Sequence, residues 1–217
     1  MAKLTWDEEA VRQYETGISS VAVYPISSGT YPAGYAWSGM TGITESPSGA
    51  EATATYADNI KYLNLISDEE LGLTLEALFY PEEFEQCDGT AELVQGVKIG
   101  QQPRKAFGLA YKTKICDSNG ADIGYTLHLV WNALAAPSEK GYSTVNDSPE
   151  AMTFSWTLTT TKIPVNGYES TYKPISHMEI DSRYANASKL TTLEGKLFGT
   201  ANSPAYLPLP GDVITSM

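Results

Sequence analysis

The sequence predicts a mainly β protein, on three observations: several segments alternate apolar and polar residues, one segment carries a strong hairpin turn signal, and helix signals are few. The 217 residues are enough to bury a hydrophobic core. No repeat of fixed period and no low-complexity linker divides the chain. We therefore expect a single domain over residues 1–217.

Period-two alternation marks the strongest strands. In Leu71–Phe79 every odd-numbered residue is apolar, so these side chains face one way while Thr74 and Glu76 face the other. The segment Met152–Leu158 alternates in the same way, with serine and threonine opposite its apolar residues. A sheet face of small hydroxyl side chains suits a wet interior or a sheet that packs on another subunit.

A hairpin is predicted from residues 108–115 and 123–133. Asn119 and Gly120 lie between them, and both residue types tolerate the positive φ that tight hairpin turns need. The stretch Asp117–Asp122 also looks like half of a calcium-binding loop. The glutamate that closes such a loop is missing at the required spacing, so a turn is the favoured interpretation.

Helix signals are confined to three segments. In Ser188–Phe198 three leucines share one face, and Gly199 stands at the expected C-terminal stop. The segment Thr5–Thr16 has a capping box but a weak apolar stripe, so a helix and an extended arm both remain open. The segment Pro81–Cys87 is compatible with one helical turn after a strand.

Two polar stretches, 27–35 and 46–59, are too long to be ordinary turns and are expected as long loops. Loops of this length are usually functional or mobile. In a polymerising protein such loops commonly reach a neighbouring subunit.

The chain is acidic, with a formal net charge of −12. Residues 1–90 hold 15 acidic against 3 basic residues, a difference of −12, so the imbalance lies in this part of the chain. A nucleic-acid binder is disfavoured, because lysine and arginine drive such binding. The charge predicts either an acidic face on the folded subunit or simply a soluble surface.

Cysteine content and the N-terminus indicate synthesis in a cytoplasm. Cys87 and Cys116 do not make a disulfide framework, and a reducing compartment is the default. The first residues have no apolar signal core, and no run of 18 apolar residues is present. We expect no membrane partner.

Residues that carry chemistry are sparse, and we expect no catalytic, cofactor-binding or metal-binding residue. His128 is expected on the polar side of its strand. His177 and Glu179 share a strand face and could bind a metal, but two ligands are short of the usual three or four. No phosphate-binding glycine motif and no nucleophile elbow is present. A carboxylate pair from Glu69–Glu70 or Glu82–Glu85 is not excluded.

Long stretches of the chain resemble the major tail protein, or tail tube protein, of siphophages, particularly those of phages with Gram-positive hosts. The matching residues are Glu45–Leu63, Leu71–Phe79 with Tyr80–Phe84 after it, Ile99–Gly108, and Ala136–Ala151 leading into Phe154–Trp156. These stretches follow one another in the right order from residue 45 to residue 156, which is more specific than any short motif.

This resemblance implies a two-sheet β-sandwich or barrel with one flanking helix, Ser188–Phe198, and long assembly loops. It implies hexameric rings that stack head to tail, with stretch 46–59 in contact between rings. The inner sheets would form one barrel around a lumen through which DNA passes without specific binding. The implied partners are further copies of the chain and the tape measure, tail terminator and distal tail proteins, and the implied location is the virion tail.

Two other functions compete with the tube. A carbohydrate-binding or host-adhesion β-sandwich would explain the 14 tyrosines and 4 tryptophans as a sugar platform. A hydrolase with two carboxylates would lose turnover when single acidic residues are replaced. If the chain forms a tube, we expect its lumen to be acidic, because a basic lining would bind the phosphates of the passing DNA.

Overall fold

The computed structural model describes Trp6, residues 12–142, Thr144, Asp147 and residues 151–217. The prediction of a helix or an arm over Thr5–Thr16 lies half outside the described residues, and its last residues belong to a strand. The described elements are β1 (Gln13–Pro25), β2 (Tyr35–Ala36), β3 (Met40–Ser48), β4 (Ala52–Ala57), β5 (Ile60–Ile66), β6 (Glu70–Ala77), a 3-10 helix (Glu82–Phe84), β7 (Ala91–Val94), β8 (Val97–Ile99), β9 (Phe107–Asp117), β10 (Asp122–Ala135), β11 (Phe154–Thr160), β12 (His177–Asp181), α1 (Ala187–Phe198) and α2 (Pro210–Ser216).

Eight strands form one large antiparallel sheet in the order β2-β1-β9-β10-β11-β6-β3, with β12 paired to β10. One edge of β10 pairs with β9, while the other pairs with β12 over Thr126–Val130 and with β11 from Ala133 onward. Asn132 takes a φ of 52° where the partner changes, and its backbone N–H donates to the Tyr31 hydroxyl at 3.0 Å. At this irregularity the partner of β10 changes from β12 to β11.

The sheet curls so that its inner face encloses an apolar core. Trp37, Phe84 and Trp156 lie at its centre, with ring centroids between 4.4 and 5.5 Å apart. Aliphatic residues from β1, β6, β9, β10 and β11 complete this core. The outer face of β1, β9 and β10 carries a second apolar core, which α1 and α2 cover. The prediction of a mainly β fold is confirmed.

The predicted strands are confirmed with small shifts of their ends. Strands β6 and β11 pair antiparallel, with Leu75 opposite Trp156 and Leu73 opposite Leu158. Strands β9 and β10 form the predicted hairpin. Its turn differs from the expectation, because Gly120 has a positive φ of 79° whereas Asn119 does not. The Asp117 carboxylate instead organises the turn by accepting from the backbone N–H of residues 119 and 121, each at 2.9 Å.

Helix α1 confirms the predicted helix over 188–198. The Asn186 side chain caps its start by accepting from the backbone N–H of Lys189 at 3.2 Å, and Gly199 ends it with a φ of 77°. Its three leucines are at most 4% exposed. The Tyr24 hydroxyl donates to the Leu197 carbonyl at 2.7 Å, which ties the end of the helix to β1.

A second helix, α2, was not predicted, so the expectation of one flanking helix was incomplete. Its seven residues are too few to show a helical period in the sequence. Pro210 occupies its first turn, where the missing N–H costs nothing. Gly211 lies so close to the neighbouring chain that a Cβ there would stand 2.2 Å from the Asn166 carbonyl oxygen.

Replacing Gly211 with alanine is expected to lower the free energy of unfolding by about 1–3 kcal/mol, because the added methyl group meets backbone that cannot move aside cheaply. Gly195→Ala is the matched control. A Cβ there meets only the Thr200 methyl, at 3.4 Å. Alanine also has a higher helix propensity than glycine, so this change should stabilise α1. Urea denaturation should therefore show opposite signs for the two variants, and equal effects would contradict this packing.

The stretch 46–59 is not an irregular loop, and that expectation was wrong. Strand β3 continues to Ser48, and β4 pairs with β5 in a hairpin. Asp58 and Asn59 form the turn with φ values of 50° and 63°, the positive values that a two-residue hairpin turn requires. Polar residues between two weakly apolar runs hid this turn signal in the sequence.

The stretch 27–35 is a loop, as expected, but it is anchored at several points. Ser27 and Thr30 close a tight turn. Tyr31 is buried and bridges to Leu207, and the Gly34 N–H donates to the Ala205 carbonyl at 2.9 Å. The loop therefore packs on the segment before α2.

Asp88 is a buried carboxylate that joins four segments of the chain. It accepts from Trp156 Nε1 at 3.1 Å and pairs with Arg104 at 3.2 Å and Lys140 at 2.6 Å. Two cations and one indole N–H thus share a side chain that is only 5% exposed. This network fixes the segment after the 3-10 helix against the inner core.

The described residues include no helix long and apolar enough to cross a lipid bilayer. Cys87 and Cys116 are both buried and unpaired. Burial raises the pKa of the Cys87 thiol to about 12.

Candidate assembly surfaces and a histidine and glutamate cluster

The hairpin β4–β5, hereafter the long hairpin, forms its own two-stranded sheet outside the main sheet. Every residue of β5 is exposed. Its large apolar side chains include Ile60, Tyr62, Leu65 and Ile66, each at least 60% exposed. Because neighbouring residues of a strand point to opposite faces, Leu65 and Ile66 place apolar surface on both faces.

An isolated two-stranded hairpin is marginally stable in water, and contiguous exposed apolar surface usually marks an interaction site. The long hairpin therefore has the properties of a surface that another chain covers. Hairpin β7–β8 repeats the feature on a smaller scale, with Leu93 and Val94 more than 60% exposed and Val97 52% exposed.

The large sheet also leaves strand edges free of ladder partners among the described residues. Strand β3 ends one side of the sheet order and β2 ends the other, while β12 pairs only with β10. Such edges present backbone N–H and C=O groups that a neighbouring chain can pair with.

A cluster of four side chains lies at one end of the inner face. His128 stands on β10, directly opposite Glu179 on β12, and His177 shares the face of Glu179. Glu45 comes from β3, at the far end of the sheet order. The curl of the sheet brings one nitrogen or oxygen of each residue within 4.8 Å of all the others. We call these four residues the His–Glu cluster.

The closest pairs join each histidine to both carboxylates. His128 Nδ1 lies 3.6 Å from Glu45 Oε1 and 3.6 Å from Glu179 Oε1. His177 Nε2 lies 3.7 Å from the first oxygen and 3.9 Å from the second. These separations are too long for direct hydrogen bonds.

Both of these histidine nitrogens are buried and have no hydrogen-bond partner among the residues that the structure describes. The other ring nitrogen of His128, Nε2, lies 3.0 Å from Thr113 Oγ1, and this hydroxyl lies 3.4 Å from a carboxylate oxygen of Glu15. If Thr113 donates to Glu15, His128 Nε2–H donates to Thr113, which leaves the Nδ1 lone pair facing the cluster. Burial lowers the pKa of His128 by more than the nearby carboxylates raise it. The lowered pKa favours this neutral form.

Stacked rings hold the histidines in place. The Tyr111 and His128 rings are 4.5 Å apart and almost parallel, and His177 continues the stack at 5.7 Å. The Tyr111 hydroxyl donates to Glu45 Oε1. Burial, followed by the bond to Glu45, raises the pKa of Tyr111 well above its usual range, so this residue remains a donor.

The sequence pattern indicated half of this cluster. His177 and Glu179 share a face as expected, but the count of only two ligands was wrong because Glu45 and His128 join them. His128 was expected on the polar side of its strand, but it is only 6% exposed. That side of the strand is therefore enclosed and forms a polar end of the inner core. Glu69–Glu70 and Glu82–Glu85 lie elsewhere, before and at the start of β6 and around the 3-10 helix, and do not join the cluster.

Comparisons with known proteins give distant likenesses. No family model matches the chain. No curated protein matches it. Among solved structures, a chain of the anti-feeding prophage baseplate has a TM-score of 0.37 and 11% identity over 83% of this chain and 97% of its own.

Two further solved structures are similar at the same level. A chain of the PVC sheath-tube complex, an extracellular contractile injection system in its extended state, has a TM-score of 0.31 and 12% identity over 74% of this chain and 88% of its own. Hcp1 from Flavobacterium johnsoniae has a TM-score of 0.30 and 11% identity over 75% of this chain and 99% of its own. Scores and identities this low transfer neither a fold nor a function.

Proposed function

We propose that the chain is a structural virion protein, the tail tube subunit of a siphophage with a Gram-positive host, which assembles into stacked hexameric rings. One observation carries the proposal: the long hairpin exposes large apolar side chains on both faces and belongs to no packed layer of the described chain. The sequence resemblance to tail tube proteins covers β4 and the first part of β5, since it includes Glu45–Leu63.

The free strand edges support the same function. When β3 or β12 of one copy pairs with an edge of the next, backbone groups bond across a heterologous contact. A heterologous contact that repeats by rotation closes a ring, and one that repeats along an axis gives an open filament. A tube of stacked rings needs a contact within each ring and a contact between rings. In this proposal the free strand edges make the contact within a ring, and the exposed hairpins make the contact between rings.

In this proposal DNA passes through the lumen without specific binding. The net charge of −12 supports it, because an acidic wall does not retain phosphates. The tape measure, tail terminator and distal tail proteins would contact the tube at its inside and ends. The subunit would be made in the host cytoplasm and would act in the virion, with no catalytic role.

A carbohydrate-binding or host-adhesion module is the second candidate. Exposed tyrosines favour it, with Tyr142 and Tyr184 78% and 84% exposed. Sugar platforms use aromatic faces, whereas the long hairpin exposes Ile60, Leu65 and Ile66 as well. Aliphatic surface of this kind fits protein contacts better than a glycan.

Sedimentation velocity over a concentration series separates the two candidates. The tube subunit is expected to pass from single chains to rings or longer polymers as concentration rises. An adhesion module remains a single chain at all concentrations and shifts only when a glycan is added. The second pattern would contradict the tube proposal.

A further inference from the structure

We propose that Glu45, His128, His177 and Glu179 bind one divalent transition-metal ion, with zinc as the best match, and that this ion ties β3 to β10 and β12. The inference does not depend on the proposed function, since all four residues belong to one chain.

The ligand spacing fits a four-coordinate ion. Zinc bonds to histidine nitrogen and carboxylate oxygen are about 2.0–2.2 Å long, which places neighbouring ligands of a tetrahedron roughly 3.3–3.6 Å apart. The four nitrogen–oxygen distances in the His–Glu cluster run from 3.6 to 3.9 Å. The nitrogen–nitrogen and oxygen–oxygen pairs lie within 4.8 Å. The ligands therefore reach bonding positions when the four side chains close in by about 1 Å or less.

The two unpartnered nitrogens point to an ion independently of the spacing. A buried polar atom without a partner is costly, and such atoms are rare in folded proteins. Nδ1 of His128 and Nε2 of His177 are both of this kind, and both face the two carboxylates. Two neutral imidazoles and two carboxylates would give a neutral site around a divalent ion.

Groups behind the ligands orient them as metal sites require. A ligating histidine normally donates its second N–H to an oxygen, which fixes the ring and its tautomer. When His128 carries its proton on Nε2, Thr113 accepts from it in this way, and Thr113 is itself near Glu15. The Tyr111 hydroxyl holds Glu45 Oε1, an oxygen that keeps a second lone pair for the ion.

The donor types select among metals. Magnesium and calcium prefer oxygen ligands in larger number, whereas imidazole suits zinc, copper, nickel and iron. Two histidines with two carboxylates and no thiolate match zinc, which keeps one oxidation state in proteins.

Zinc binding to chelator-treated, untagged protein tests the proposal. We expect one zinc ion per chain in competition with a chromophoric chelator. We also expect Tm to rise by roughly 5–10 °C at a free zinc concentration about a hundredfold above Kd. The sequence has two histidines, and both are in the cluster, so imidazole-dependent binding reports on this site.

Two variants and one control assign the site. His177→Ala and Glu179→Gln, whose side chains are 20% and 55% exposed and so can be changed with little risk to folding, should each weaken binding at least about tenfold and reduce the Tm rise. Glu70→Gln, an exposed carboxylate outside the cluster, should bind as the wild type does. Cobalt in place of zinc should give the visible absorption of a tetrahedral site in the wild type and lose it in His177→Ala.

The proposal is overturned if the wild type binds zinc no more tightly than His177→Ala does. It is equally overturned if His177→Ala and Glu179→Gln both keep wild-type affinity. Either result can be read at concentrations where the chain is monomeric, so it is distinct from a failure of tube assembly.

Discussion

An aspartate placed on the long hairpin is expected to raise the concentration needed for assembly while the subunit stays folded. Leu65→Asp and Ile66→Asp charge opposite faces of β5, and both residues are at least 60% exposed in the single chain. Burying an unpaired carboxylate in a subunit contact costs several kcal/mol, so assembly should require at least about a hundredfold higher concentration. Light scattering on a concentration series measures this threshold.

Asn64→Asp is the matched control, because it adds the same charge to the same strand at a position that is already polar. It should shift the threshold much less, and circular dichroism should show all three variants folded. Whichever face gives the larger effect is the face that a neighbouring copy covers. If Leu65→Asp and Ile66→Asp both assemble at the wild-type concentration, the long hairpin is not an assembly surface.

Replacing Asp88 with alanine is expected to lower the free energy of unfolding by about 3–5 kcal/mol. The change leaves the cations of Arg104 and Lys140 and the buried Trp156 N–H without their shared acceptor. Asp88→Asn should cost less, because the amide oxygen can still accept from the indole. Urea denaturation measures both, provided that the slope with urea concentration is unchanged.

Asp68→Asn is the control for Asp88. It removes an ion pair to Lys162 at 2.8 Å, but the Asp68 side chain is 76% exposed, so water replaces the partner. The exposed pair should therefore contribute far less to stability than the buried one. Equal losses for Asp88→Asn and Asp68→Asn would show that Asp88 is not a buried anchor.

Local patterns predicted those elements whose burial follows a simple period. Strand β6 alternates because one face lies on the inner core, and α1 shows three leucines on one face because that face covers the outer core. The long hairpin escaped prediction because neither of its faces is buried within the chain. Its apolar and polar residues therefore do not alternate as they do in a strand that lies on a core. Helix α2 escaped because it has only seven residues.

The His–Glu cluster shows what local patterns cannot reveal. His177 and Glu179 are two residues apart and were recognised as a pair. Glu45 reaches them only because the sheet curls, and strand order is not visible in a single sequence. One signal was available: Thr126 and His128 interrupt the inward-facing residues of β10 with polar side chains, which marks a polar end to that core.

Electron cryo-microscopy of concentrated purified protein shows whether copies of this chain join into a hollow tube. We expect stacked rings around a central channel, with neighbouring copies paired at strand edges and the long hairpin covered by an adjacent copy. Single, unassembled particles at every concentration, with the long hairpin in solvent, would contradict it.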